Sequence, residues 1–352
     1  MVAGVWWTSS ATADRYAQNR MHPVLSPQLD AASVTALVED AVTAPSMHNA
    51  QPWAFRYRPG TYTIELHGDP ERAMPHSDPD GRALHLGCAA ALFSLRVSAA
   101  KAGWEPVTGL LPSSEDPWHL ANVALREPTR PDDDLAALHP ALRQRHTSRF
   151  PFTDEKIPTP VLDGLQAAAL LEGAKLLLPD AWHTEVVLGL VHDSEHYEAE
   201  DPAVREETAS WTDPGGENDG PRREGIPAYA FGPRQYGSSA PVRDFGSWRP
   251  HLGRESARFE RHPRIAILGT SQDTPMDWLR AGQAMQRVLL QATLDGLVTS
   301  MTSQPLEWPE LRWAVRDPTS AMGHVHIIIR LGYGPQGPAT PRRPVREVLE
   351  IK

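Results

Sequence analysis

Cysteine is almost absent from this chain, whose 352 residues hold only Cys88. One thiol excludes an internal disulfide framework and a cysteine-based zinc site. Its neighbours, Gly87 and Ala89-Ala90-Ala91-Leu92, read as buried helix, where a free cysteine is a small core side chain. Excess positive charge is lacking too. Lys and Arg number 34 against 44 Asp and Glu, a formal net charge of −10, which argues against a general nucleic-acid binder. No run of 18 apolar residues occurs, so no membrane span is expected. Residues 1–20 contain Val5-Trp6-Trp7 but no basic segment leading into an apolar core, so they read as a loosely held arm, not a signal peptide. The cytoplasm is the expected location.

What is present is an ordinary globular composition, 40% apolar and 22% charged, broken by 34 prolines and 25 glycines. Apolar spacing predicts a helix over 26–42, stopped by Pro45, then strands over 53–57 and 62–67 around the turn pair Pro59-Gly60. A helix over 84–101 is so apolar that most of its faces must be buried, and a strand follows over 120–126. The Pro- and Asp-rich stretch 127–132 marks a boundary, giving halves 1–133 and 134–352. The second half reads as helices over 134–144, 160–171 and 181–198, a strand over 175–178, a strand over 264–268, a helix over 277–295 and a strand over 324–330. It closes with a basic, extended or helical segment over 341–352.

The region of roughly 199–262 differs in kind. Residues 193–224 carry eleven Asp or Glu against three Arg, and residues 213–241 carry eleven Gly or Pro. Such a stretch is not expected to form a normal core element. It still holds Trp211, Tyr229, Phe231, Tyr236, Phe245 and Trp248, so it is expected to pack on something, as a lid would.

A faint repeat relates the two long helices. Gly87 and Gly103 in one correspond to Gly282 and Gly296 in the other, offset by 195 (282 − 87) and 193 (296 − 103). Duplication and chance likeness between Ala-rich helices both account for this.

Three strings carry candidate chemistry. Ala44-Pro45-Ser46-Met47-His48-Asn49-Ala50-Gln51-Pro52-Trp53 sets polar side chains beside a large flat apolar group on a proline-stiffened loop. That suits a planar heteroaromatic ligand, or a helix-ending turn stitched by its own side chains. Arg145-His146-Thr147-Ser148-Arg149 joins two guanidiniums to two hydroxyls, as a phosphate clamp or a solvated basic turn would. Thr340-Pro341-Arg342-Arg343-Pro344 holds two more cations rigidly. Two decoys are set aside. Gly332-Tyr333-Gly334-Pro335-Gln336-Gly337 spells a dinucleotide fingerprint, but its prolines forbid the helix that motif needs. His192 and His196 have i, i+4 spacing without a third ligand, so no metal is expected.

Taken together, these strings resemble the FMN-dependent nitroreductases. Ala44-Pro45-Ser46 through Asn49-Ala50-Gln51-Pro52-Trp53 looks like that family's ring-side signature. The segment Arg145 to Arg149 resembles its phosphate and ribityl segment, and Arg342 or Arg343 its C-terminal basic residue. Gln304-Pro305-Leu306-Glu307 resembles the loop whose backbone meets the flavin ring. Family members usually carry the phosphate segment first and build each site across a dimer. Here the ring loop lies in the first half and the clamp in the second, while the first half offers only scattered Arg15 and Arg20. That order resembles the fused, single-chain Acg-type branch.

The resemblance implies an α+β fold of two fused, pseudo-symmetric halves, each with an antiparallel sheet and a long central helix. It implies one FMN held by Arg145, His146, Thr147, Arg149 and Arg342 or Arg343, with Pro45, Ser46, Met47, Asn49 and Gln304 at the ring and backbone contacts from Leu306 and Glu307. No side chain need act as an obligatory acid or base, so no catalytic residue is named. The implied activity is ping-pong reduction of nitroaromatic or quinone-type acceptors by NAD(P)H. Flavin sequestration under a lid and oxidation of a small metabolite are the alternatives. Fusion removes the need for a second chain, so a monomer suffices.

Overall fold

The computed structural model describes residues 29–213, 223–237, 240–246, 253–320 and 322–352. The N-terminal arm, Arg15, Arg20, the first residues of the helix expected over 26–42, and Trp248 lie outside the described residues.

The first half folds around one long helix. Helix α1 (Ala31–Ala41) starts where the Asp30 carboxylate accepts the Ser33 N–H at 2.8 Å, and it buries Val34, Leu37, Val38 and Ala41. Strands β1 (Trp53–Arg58) and β2 (Thr63–Gly68) pair antiparallel, with alternate residues buried. Helix α2 (Arg82–Lys101) follows Gly81, whose φ of 71° supplies the left-handed entry. It has the length and mean hydropathy (1.4) of a membrane-crossing helix, yet 17 of its 20 residues are buried inside the fold. Strands β3 (Glu105–Leu110) and β4 (His119–Arg126) complete the antiparallel order β1-β2-β4-β3. The sequence pattern misses β3 because it contains Pro106 and Gly109. Proline is tolerated there because β3 is an edge strand paired only with β4.

The second half departs from expectation at its start. Where the pattern predicts one helix over 134–144, the chain forms a short helix α3 (Asp133–Ala136) and a 3-10 turn at His139–Leu142. Pro140 lacks the N–H that a continuous helix would need. Helix α4 (Thr159–Leu171), strand β5 (Lys175–Leu177) and helix α5 (Ala181–Glu200) then fall close to their predicted places. The acidic insertion requires a correction, since it opens with a regular helix, α6 (Pro202–Ser210). Asp201 caps it by accepting from the N–H groups of Ala203 and Val204 at 2.8 and 3.2 Å, Pro202 starts it, and Val204 and Thr208 are buried. Two small parallel pairs follow, β6 (Thr212–Asp213) with β7 (Ile226–Pro227) and β8 (Arg234–Tyr236) with β9 (Ser256–Arg258). Of the insertion's aromatics, Phe231 is buried and Tyr229 and Tyr236 are exposed.

Strand β10 (Arg264–Thr270), helix α7 (Pro275–Leu294), strand β11 (Val298–Thr302), helix α8 (Pro309–Val315) and strand β12 (His324–Gly332) build the second sheet, antiparallel in the order β11-β12-β10-β5. A capping box between Thr274 and Asp277 fixes the start of α7. The chain ends in helix α9 (Val345–Val348) and strand β13 (Leu349–Ile351). Strand β13 pairs parallel with β1 in the first sheet, so the last residues of the second half complete the sheet of the first. The fold is α+β.

Helices α2 and α7 pack against each other at the centre. A Cβ on Gly282 would stand 2.4 Å from the Leu86 carbonyl oxygen and 2.6 Å from the Ala89 Cβ, so only glycine allows that approach. Both helices end on a glycine, as α4 does at Gly173. Gly103 and Gly296 both take positive φ, at 85° and 76°. Beyond each, the next residue returns its N–H to the helix, Trp104 to Ala99 at 2.9 Å and Leu297 to Ala292 at 2.8 Å.

Candidate functional site

A cavity of about 1140 Å³, mouth included, collects residues from both halves and from the insertion. Ten of the thirteen residues singled out in the sequence line it, namely Pro45, Ser46, Met47, Asn49, Arg145, His146, Thr147, Arg149, Gln304 and Arg342.

The ring-side loop is held in an unusual backbone state. Its turn at Met47–Asn49 carries positive φ at His48 (47°) and Asn49 (58°), and Gln51 adds a third (55°). Non-glycine residues in that region are uncommon and strained, and such strain concentrates at functional sites. The Ser46 hydroxyl accepts the Gln51 N–H at 2.9 Å and closes the loop. Asn49 joins three segments. Its Nδ2 donates to the carbonyls of Gly225 (3.0 Å) and Pro341 (3.1 Å), and its Oδ1 accepts from Arg342 at 2.9 Å. Gln51 is fully buried, donating to the Arg223 carbonyl at 2.6 Å and accepting the Arg343 N–H at 2.7 Å. Asn49 and Gln51 thus stitch the turn to neighbouring segments, and Asn49 lines the cavity as well.

The basic segment is seated against β11, where the Ser148 N–H donates to the Thr299 carbonyl at 2.8 Å. A Cβ on Gly337 would fall 2.0 Å from the Thr147 carbonyl oxygen, so the last glycine of the dinucleotide-like string is there for close packing on this segment. Arg145 is buried. Its Nη2 donates to the Thr43 carbonyl at 3.1 Å, while its Nε and Nη1 have neither water contact nor a hydrogen-bond partner among the described residues. Arg149 donates to the Ala230 carbonyl at 3.1 Å and lies 5.1 Å over the Phe245 ring. Arg342 spreads its donors over the carbonyls of Val42 (2.9 Å), Thr43 and Ala44 (both 3.2 Å), fixing the exit of α1.

No carboxylate lies within ion-pairing distance of Arg145, Arg149 or Arg342 among the described residues. Burial, with the neighbouring charge of Arg342, pushes Arg145 down to about 9, and burial brings Arg149 and Arg342 down to about 10. One buried and two half-buried cations thus line this cavity without a protein counter-ion among the described residues. A dianionic group would supply both the missing charge and acceptors for Arg145.

Three expected residues fall outside the lining. Leu306 is a core side chain packed among Ile265, Ile267 and Ile328, and its carbonyl accepts from Arg82 at 3.0 Å. Glu307 is turned into an ion pair with Arg243 at 3.0 Å. Arg343 lies on the opposite side of the extended 341–344 segment from Arg342, 3.8 Å from Asp69.

The sequence reading missed other lining residues. Arg82, the first residue of α2, is buried and pushed down to about 10 by burial and by Arg312. Ile226, Arg243 and Phe245 come from the insertion, whose aromatic density was the one signal that it would cover something. Arg243 is neutralised by two buried carboxylates, Glu198 at 2.9 Å and Glu307 at 3.0 Å. His48 completes that group, with Nε2 3.1 Å from Arg243 Nη1.

Elsewhere, Glu65, His67 and His119 have ligand atoms within 4.8 Å of one another. Glu65 is already held by Arg58 at 2.9 Å and Arg56 at 3.4 Å, so a cation there would face two guanidiniums. His192 pairs with Glu195 at 3.4 Å on an exposed helix face.

The cavity is lined from both central helices, α2 and α7, of an α+β fold. The chain is 33% identical over 334 residues to a Mycobacterium tuberculosis H37Rv protein that bears the name of an NAD(P)H nitroreductase, covering 91% of this chain and 92% of that one. It is 27% identical over 329 residues to the protein named Acg from the same organism, covering 91% and 96%. No family model matches the chain. Among solved structures it is similar to the FMN- and NADPH-dependent nitroreductase NfnB of Sphigopyxis sp. strain HMH, at 15% identity and a TM-score of 0.38 over 61% of this chain and 98% of that one. The chain belongs to the NAD(P)H nitroreductase family of oxidoreductases.

Proposed function

We propose that the cavity binds one FMN per chain and that the protein uses it to reduce nitroaromatic or quinone-type acceptors at the expense of NAD(P)H. The observation that carries this reading is Arg145, whose buried Nε and Nη1 lack partners among the described residues in a cavity that two further guanidiniums without a carboxylate partner also line. In this reading Arg145 and Arg149 bind the phosphate, with His146 and Thr147 along the ribityl chain. Arg342 acts through the loop, holding the carbonyls of Val42 to Ala44 so that Pro45, Ser46 and Met47 present a fixed edge to the ring. Gln304 offers an acceptor at the same wall, its Oε1 being buried and unpartnered while Nε2 donates to Glu198 at 3.1 Å. When bound, FMN supplies the alternating hydride uptake and release of a ping-pong cycle. Phe245 and Ile226 add apolar surface to the cavity wall.

Replacing Arg145 and Arg149 by Ala removes charge-assisted bonds worth about 1.5–3 kcal/mol each, a roughly ten- to hundredfold loss of FMN affinity per residue. Unchanged FMN affinity in the double variant, measured by flavin fluorescence, would refute the clamp. One observation favours a second reading, flavin sequestration: the insertion reaches the cavity and is tied down by the Arg243 ion pairs. NADPH added to holoprotein under argon separates the two, since rapid bleaching marks a reductase and slow or absent bleaching marks storage.

A further inference from the structure

His48 stands in the cavity wall with no part in the clamp or the ring edge described above. Its protonation pattern follows from donor counting. Nε2 lies 3.1 Å from Arg243 Nη1, and a guanidinium nitrogen can only donate. Nε2 is therefore the acceptor, and the ring proton of the neutral imidazole sits on Nδ1. Arg243 is held in place, because the same Nη1 also donates to Glu307 (3.0 Å) while Nη2 meets Glu198 (2.9 Å) and the Thr208 hydroxyl (3.2 Å). Burial, then the charges of Arg243 and Arg149, keep the imidazole neutral.

The Nδ1–H so defined is buried and has no hydrogen-bond acceptor among the described residues. Its aromatic neighbour, Phe245, meets the ring edge-on at 5.4 Å and offers only a weak π face. The same residue also carries a φ of 47°. An unpartnered buried donor and a left-handed backbone at one non-glycine position are two unfavourable features that a bound ligand would make useful.

We propose that the His48 Nδ1–H donates to an sp² oxygen of the ligand in this cavity, either a flavin carbonyl or the carbonyl or nitro oxygen of the electron acceptor. The assignment rests on the FMN-reductase reading. Because the donor is fixed in sign, an amino group at that point of the ligand is disfavoured, whereas a quinone or nitro oxygen is accepted.

The test uses full-length holoprotein with His48→Phe, which removes the donor but keeps the ring, and His48→Asn. Asn tolerates the left-handed backbone and can accept from Arg243 while donating to the ligand. FMN affinity and the KM for a simple benzoquinone with NADPH are measured for each. A roughly five- to tenfold loss of FMN affinity in His48→Phe assigns the bond to the flavin. A similar rise in quinone KM at unchanged FMN affinity assigns it to the acceptor. In either case His48→Asn recovers most of the loss. Both quantities within twofold of the original protein in His48→Phe, or equal losses in His48→Phe and His48→Asn, overturn the proposal. If the unaltered protein binds no FMN, it is the parent reading that fails.

Discussion

At the residue scale, the site is a problem of charge balance solved differently on its two sides. Arg243 is matched by Glu198 and Glu307, whereas Arg145, Arg149 and Arg342 have neutral acceptors and no carboxylate among the described residues. The contrast with Asp273, a structural ion pair, is instructive. Its carboxylate accepts from Arg312 twice at 2.8 Å and from the Trp278 indole at 2.6 Å. Burial alone would raise its pKa, but the Arg312 and Trp278 hydrogen bonds outweigh it and hold the group at about 2, against an ordinary 3.8. The folded value is the lower one, so this contribution to stability is complete above about pH 4 and is lost as the pH falls toward about 2. Asp273→Asn is expected to lower the Tm by a few degrees at pH 7, and the gap to the original protein should close between pH 4 and pH 2. A gap of constant size down to pH 2.5 would contradict the pairing. Residue types and their proximity in sequence were enough to find ten of the residues that line the cavity. Which of two adjacent arginines faces it was not legible, because Arg342 and Arg343 differ only in which side of an extended segment they occupy. Arg82 was hidden for another reason: a lone arginine at a helix start has no local signature.

At the element scale, the long helices read well because their apolar character is continuous. The sequence places them over 84–101 and 277–295, and the structure has Arg82–Lys101 and Pro275–Leu294. Edge strands read poorly. Strand β3 carries proline and glycine, and the polar Thr299, Ser300 and Thr302 of β11 are buried by tertiary pairing that no local pattern announces. Helix α6 escaped notice because its acidic residues outweigh its two buried positions, and only the Asp201-Pro202 start betrays it. The contact between α2 and α7 depends on Gly282. Gly282→Ala gains helix propensity of up to about 1 kcal/mol but drives a Cβ into the Leu86 carbonyl, an overpacking cost of about 1–3 kcal/mol. A lower Tm is the expected result, and an unchanged or higher Tm by thermal denaturation would show that the two helices are less tightly apposed.

At the scale of the whole molecule, the order of motifs explains why the halves cannot be treated as independent. The ring loop and α2 come from one, the basic segment and β11 from the other, and β13 returns to close the first sheet. Helices α2 and α7 share their glycine ending with α4, so that ending does not separate duplication from chance likeness. Composition contributed little here beyond excluding other classes. The insertion was recognisable as something that packs, but not as the source of Arg243 and Phe245 in the cavity wall. The motifs occur once each, so the molecule should hold a single flavin. The most direct measurement is a titration of purified, flavin-free chain with FMN, following fluorescence quenching to saturation. The account predicts an endpoint of one FMN per chain, and a Kd raised at least about a hundredfold by Arg145→Ala with Arg149→Ala. No saturable binding, two equivalents per chain, or a Kd indifferent to both arginines would contradict it.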